Sequence, residues 1–91
     1  MSQRILLFAN YREIVGSKEI IIEMPDSTVR DVVDWITEQY PDLIPLLFKD
    51  RELKRYVNIL INRTSVRDLY GMETHVADGD VIKLFPPVSG G

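Results

Sequence analysis

Asp26-Ser27-Thr28 leads into an apolar stripe at Val29, Val32, Val33, Ile36 and Tyr40, and Pro41 closes it. The spacing i, i+3, i+4, i+7, i+11 puts these side chains on one face of a helix. Thr28 with Asp31 three residues later is a capping box with Asp in place of Glu, so the start is marked by its own hydrogen bonds. The stop is marked as clearly, because Pro41 pushes Tyr40 out of the α region. Asp31, Asp34, Glu38 and Gln39 fill the other faces, and Trp35 falls off the stripe, where edge-of-core packing is expected. A helix with one apolar face has to bury it against a second layer. The runs on either side of it supply that layer.

Ile5-Leu6-Leu7-Phe8-Ala9 is a short apolar run that suits a buried strand. Tyr11 to Val15 fits one helical turn stopped by Gly16. Glu19 to Met24 is β-branched and reads as a second strand, ended by Pro25, so the two form a hairpin with a long loop. Beyond the main helix, Asp42 to Phe48 predicts a short second helix beginning near Pro41 or Pro45, and Lys49 to Glu52 a charged turn. Tyr56 to Ile61 is a strand, Asn62-Arg63 a turn, and Thr64 to Val66 a short edge strand. Leu69 to Met72 reads as a turn packed by its own apolar residues. Asp78-Gly79-Asp80 is a strong turn signal before a last strand, Val81 to Phe85. This order specifies an α+β domain: a mixed sheet of four to five strands with one main helix packed on one face. The ubiquitin-like β-grasp fold has the same order, with the last strand beside the first in mid-sheet. The expected division is a domain over 1–85 and a flexible tail over 86–91.

Ninety-one residues suit one domain. The absence of cysteine excludes disulfides, zinc-thiolate sites and a cysteine nucleophile, and favours the cytoplasm. No run has the form of a signal peptide or nears the roughly 20 apolar residues of a membrane span, so no membrane role is expected. A net charge of −3 offers no basic patch for nucleic acid. His75 is the only histidine and has no second ligand at metal spacing, so no metal site is expected. With no glycine-rich phosphate loop, the chain is expected to bind no cofactor itself.

The tail, Pro86-Pro87-Val88-Ser89-Gly90-Gly91, is the chemical feature. Two prolines fix φ and favour an extended exit, and glycine lets backbone approach a channel wall closely. Fully extended, the tail reaches about 20 Å. Alternation along the last strand puts Ile82 and Leu84 on one face and Val81, Lys83 and Phe85 on the other. Phe85 therefore sits at the root of the tail on the solvent face. Because the first strand is apolar at both parities, either Leu6 and Phe8 or Ile5 and Leu7 join it there. The result is an apolar patch that either meets a partner or is covered by the second helix or a loop.

Asp78 to Gly91 resembles the end of the MoaD family, the small sulfur-carrier subunits of molybdopterin synthase: D-G-D-x-V-x-x-F-P-P-V-x-G-G. Leu7 to Gly16 is similar to that family's start, F-A-x-x-R-E-x-V-G, and Thr28 to Asp31 and Val57 to Ile59 fit its helix start and third strand. The same pattern is shared with archaeal small modifier proteins and, less closely, with the thiamine carrier ThiS. The resemblance implies that the Gly91 carboxylate is the reacting group. A MoeB-like or ubiquitin-activating-type enzyme would adenylate it with ATP, and a sulfur donor would turn it into a thiocarboxylate. A MoaE-like large subunit would receive Gly90 and Gly91, with Ser89, Val88, Pro87 and Pro86 threading into its site and Phe85 and Phe8 at the interface. That makes the chain a sulfur-donating subunit in molybdenum cofactor biosynthesis, without catalytic machinery of its own. The alternative is a ubiquitin-like modifier joined through Gly91 to target lysines.

Overall fold

Period-two burial in two strands decides how the chain folds, because each is buried on one side only. The computed structural model describes residues 2–86. The expectations placed on Pro87, Val88, Ser89, Gly90 and Gly91 lie outside the described residues. In chain order the elements are β1 (Gln3–Leu7), α1 (Ala9–Val15), β2 (Glu19–Ile22), β3 (Ser27–Thr28), α2 (Val29–Gln39), α3 (Ile44–Leu47), β4 (Phe48–Lys49), β5 (Glu52–Leu53), β6 (Asn58–Ile61), β7 (Thr64–Ser65), β8 (His75–Val76) and β9 (Val81–Phe85). Short 3-10 turns cover Pro41–Leu43, Val66–Asp68 and Gly71–Glu73.

The main sheet has five strands in the order β2-β1-β9-β6-β7. β1 and β9 run parallel with Ile5 opposite Ile82 and Leu7 opposite Leu84, and the other pairs are antiparallel. Placing β9 in the middle gives it hydrogen-bonded neighbours on both sides. Ile5, Leu7, Ile82 and Leu84 project to one face and are at most 1% exposed. Val29, Val32, Val33 and Ile36 of α2 pack against them in one core. Each such side chain contributes about 1.5–3 kcal/mol on burial, so β9 is held firmly as far as Leu84.

α2 forms as the stripe and its ends dictate. Thr28 Oγ1 accepts from the Asp31 N–H while an Asp31 carboxylate oxygen accepts from the Thr28 N–H. Tyr40 leaves the helix at φ −132° and ψ 78°, as the following proline requires. Trp35 is half-buried at the core's margin. α1 ends at Gly16 in the left-handed conformation, with φ 80° and its N–H donating to the Arg12 carbonyl.

Several local features differ from the sequence-based expectations. The run expected to form a strand to Ala9 stops at Leu7, because Ala9 takes φ 51° and begins α1. The charged turn forms as expected, at Asp50 and Arg51, both with positive φ (52° and 70°), but it joins two short paired strands, β4 and β5, that were not expected. Glycine is the usual residue there, which is why the hairpin has no sequence signature. Leu69 and Tyr70, expected to pack their turn, are 43% and 81% exposed. A minor pairing, β3 with β8, was also hidden, because two-residue strands carry no periodicity.

Candidate functional site

The site is built at the C-terminal end of β9, where the chain leaves the sheet. Ile82 and Leu84 point into the core, while Val81, Lys83 and Phe85 alternate to the open face. On β1 the core residues are Ile5 and Leu7, so Leu6 and Phe8 are the pair that turns outward, settling the parity left open by the sequence. The rings of Phe8 and Phe85 stack with centroids 4.2 Å apart and planes 12° apart. Both are half-buried, so each shields the other yet keeps an accessible edge. Stacking of this kind contributes about 0.5–1.5 kcal/mol beyond area.

Arg12 fixes Phe8 in place. Its Nε donates to the Leu7 carbonyl at 3.1 Å, and its guanidinium lies 5.7 Å from the centre of the Phe8 ring. The arginine of the F-A-x-x-R-E pattern therefore holds Phe8 in position, a role its sequence neighbours do not signal. Leu60 on β6 and Ile21 on β2, the latter 66% exposed, extend the apolar face across the sheet. Arg4 and Glu19, joined at 2.9 Å, and Lys83 supply its charges.

The start of β9 is pinned just as closely. An Asp80 carboxylate oxygen accepts from the Ala77 N–H at 2.8 Å, closing the turn that Gly79 makes at φ 83°. Its other oxygen accepts from the Asn62 amide at 3.1 Å, and the Asn62 side-chain oxygen accepts from the Val81 N–H at 3.1 Å. The D-G-D turn thus locks β9 to the β6–β7 hairpin. The tail root is anchored at both ends of its strand.

Beside Pro86, Tyr11 of α1 is 1% exposed, and its hydroxyl has no hydrogen-bond partner among the described residues. Burial pushes the phenol from 10.0 up to about 12. The folded chain holds that proton more tightly than the unfolded chain. The contribution is therefore whole below pH 10 and is lost as pH climbs from there towards 12. The loss should be about 2 kcal/mol for the wild type and absent from Tyr11→Phe, read as the difference between their urea-denaturation pH profiles. Parallel profiles through that window would contradict the burial of an un-ionised hydroxyl.

Among the described residues, no group of three or more His, Asp or Glu side chains is arranged to hold a metal, and no helix is long and apolar enough to cross a membrane. Lys49 stands on the β4–β5 hairpin and is exposed, whereas Lys54 donates to the Pro45 carbonyl at 2.7 Å. Of the sequence-predicted site residues, Phe8, Phe85 and Pro86 come together at one end of the sheet.

Three comparisons give this geometry its family. A family model described as the ThiS family matches residues 5–91. Small archaeal modifier protein 3 of Haloferax volcanii is 41% identical over 92 residues, covering the whole of both chains. The solution structure of small archaeal modifier protein 1 from Methanosarcina acetivorans superposes with a TM-score of 0.88 at 37% identity, over 99% of this chain and 96% of that one. The molybdopterin synthase sulfur carrier subunit of Haemophilus influenzae is more distant, at 32% identity over 96% of each chain. The likeness to modifier proteins is thus stronger than the likeness to molybdopterin synthase subunits, reversing the order of the two functional expectations. With its β-grasp fold and its match over nearly the full length, the chain belongs to the ThiS family of ubiquitin-like sulfur carriers.

Proposed function

We propose that the protein is a ubiquitin-like modifier of the small archaeal kind, activated at the carboxyl group of Gly91 and joined to lysines of target proteins. The observation that carries this reading is the identity to small archaeal modifier protein 3 across the whole of both chains. In the first step a Gly91 carboxylate oxygen attacks the α-phosphate of ATP, a P–O bond forms, and pyrophosphate leaves. The carboxylate is the right species, because an α-carboxyl group titrates near 3.5 and is ionised at neutral pH. A lysine amine then attacks the acyl carbon, AMP departs, and the amine loses its proton as the isopeptide bond forms. ATP and the catalytic groups belong to an adenylating partner of the ubiquitin-activating type. The part of this chain is to present the terminus on a rigid root and to offer the Phe8–Phe85 face for docking.

Conjugation should leave a readable mark. Trypsin cuts after Lys83, so a modified target lysine carries Leu84 to Gly91 as a branched remnant. Tandem mass spectrometry of cell extracts is expected to find that remnant on lysines of other proteins. Extracts rich in the chain but without the remnant would sink the modifier reading.

A second reading is favoured by the Haemophilus influenzae relative, named as a molybdopterin synthase sulfur carrier subunit. Here sulfide displaces AMP from the same adenylate and leaves a Gly91 thiocarboxylate, which a MoaE-like partner accepts. Both readings share the activated Gly91 and differ only in the nucleophile that takes it.

A further inference from the structure

β2 is an edge of the main sheet, with β1 on one side and, among the described residues, no strand on the other. Its pairing fixes which backbone groups look outward. The Leu7 N–H donates to the Lys18 carbonyl at 3.0 Å, so the bonded pairs of this antiparallel ladder alternate as Leu7–Lys18, Ile5–Ile20 and Gln3–Ile22. Glu19 and Ile21 therefore turn their N–H and C=O groups to the open edge. At Glu19 both are met by Ser17, whose Oγ donates to the Glu19 carbonyl at 2.8 Å and accepts from its N–H at 3.3 Å. No described residue does the same for Ile21, and its side chain is exposed as well. An open edge with a β-branched apolar side chain is a template for an added strand.

Beside this edge, between β2 and α2, lies a hollow of about 540 Å³ walled by Ile21, Ile22, Met24 and Trp35. It adjoins a second, of about 340 Å³, that shares Met24 and Trp35. Charge selects the occupant. Glu23 lines the first hollow, Asp26, Asp34 and Glu38 line the second, and none of the residues lining either is a cation. A second copy suits the edge poorly. Antiparallel pairing of β2 with itself about Ile21 sets Glu23 of each chain opposite Glu19 of the other, and like charges directly opposite destabilise a ladder. A basic strand reverses that sign. We propose that the β2 edge takes an extended, basic segment of a partner protein as an added antiparallel strand. An apolar residue of the segment stands opposite Ile21 and exchanges both backbone bonds with it. Lys or Arg two positions away stands opposite Glu23, and the residue between them turns towards Met24 and Trp35. Arg4 already pairs with Glu19 and Ser17 closes the ladder there, so the Glu23 end carries the charge recognition. Because β1 separates β2 from β9, this contact is distinct from the tail root and does not depend on which nucleophile takes Gly91.

The probe is the peptide acetyl-Lys-Lys-Leu-Val-Leu-Lys-Lys-amide, titrated into the ¹⁵N-labelled full chain and followed by amide chemical shifts. Saturable shifts are expected at Ile20 to Glu23 and at the Trp35 indole. The same peptide N-methylated at its valine lacks the N–H that would donate to the Ile21 carbonyl, and should bind about tenfold more weakly. The peptide with Glu in place of every Lys should give no saturable shift. Both controls leave the protein unchanged, so a loss of binding is not a loss of fold. Parent-peptide shifts that miss β2, an N-methylated peptide that binds as well as its parent, or an acidic peptide that does so, each overturns the proposal. β2 amides that shift with protein concentration in the absence of peptide assign the edge to a second copy, which also overturns it. None of these measurements requires adenylation, so the proposal and the modifier reading can fail separately.

Discussion

Removal of Gly91 is expected to abolish ATP-dependent activation while shifting fold stability by no more than about 0.5 kcal/mol. The two effects are expected to separate because their causes lie at different places in the sequence. Stability resides in the core shared by α2 and the sheet, whose last buried member among the described residues is Leu84. On the proposed function, reactivity resides in the Gly91 carboxyl group, seven residues beyond Leu84 in sequence. Deletion leaves a carboxylate of unchanged acidity on Gly90, one residue short, at about 3.3 Å less reach. A loss of activation on deletion is therefore a loss of position and not of chemistry. The check is ATP–pyrophosphate exchange with the adenylating partner beside a thermal melt of each chain. Exchange that survives deletion would show that the partner does not measure the tail from its root. A large drop in melting temperature would show that the tail supports the fold.

Phe85→Glu is expected to weaken binding to the adenylating partner by about 2 kcal/mol or more, roughly thirtyfold in Kd. The cost to stability should be smaller, about 0.5–1.5 kcal/mol for the lost stack on Phe8. The asymmetry follows from the half-burial of both rings. A carboxylate at position 85 can still reach water in the free chain, but in a complex it would be desolvated against an apolar surface. Calorimetric titration with the partner, set beside urea denaturation, reads both quantities. Unchanged affinity would remove the Phe8–Phe85 face from the interface, and an unfolded variant would make Phe85 a core residue.

How far the sequence carries depends on the kind of signal each element leaves. α2 was legible because its stripe, its capping box and Pro41 are all local. β9 was legible because a D-G-D turn precedes it and Ile82 and Leu84 alternate with Lys83. The outward parity of β1 was not, because Ile5, Leu6, Leu7 and Phe8 are all apolar and only the pairing with β9 decides which of them face the core. The role of Arg12 was hidden for a related reason. An arginine one turn into a short helix looks like any solvated charge until the fold brings it over Phe8. Asn62 read as a turn residue and is one, at φ 55°. Its second task, bonding Asp80 and Val81, needs contacts across 18 and 19 positions of sequence. Tyr11 followed the same course: it was read as part of a helical turn, and only tertiary packing buries its hydroxyl beside Pro86. The Gly-Gly end stood out from the start, but its motif is shared by sulfur carriers and modifiers alike. The identities of the relatives shift the balance towards the second.

The claim beneath both functional readings is that the Gly91 carboxyl becomes an acyl-adenylate. Hydroxylamine tests it independently of the natural acceptor, since it attacks any acyl-adenylate, releases AMP and leaves a hydroxamate. The chain is incubated with its adenylating partner, ATP and hydroxylamine, and the product is mapped by tandem mass spectrometry. One ATP-dependent hydroxamate, located on Gly91, is expected. A chain that stays unmodified, or a hydroxamate on an Asp or Glu side chain in its place, would contradict it.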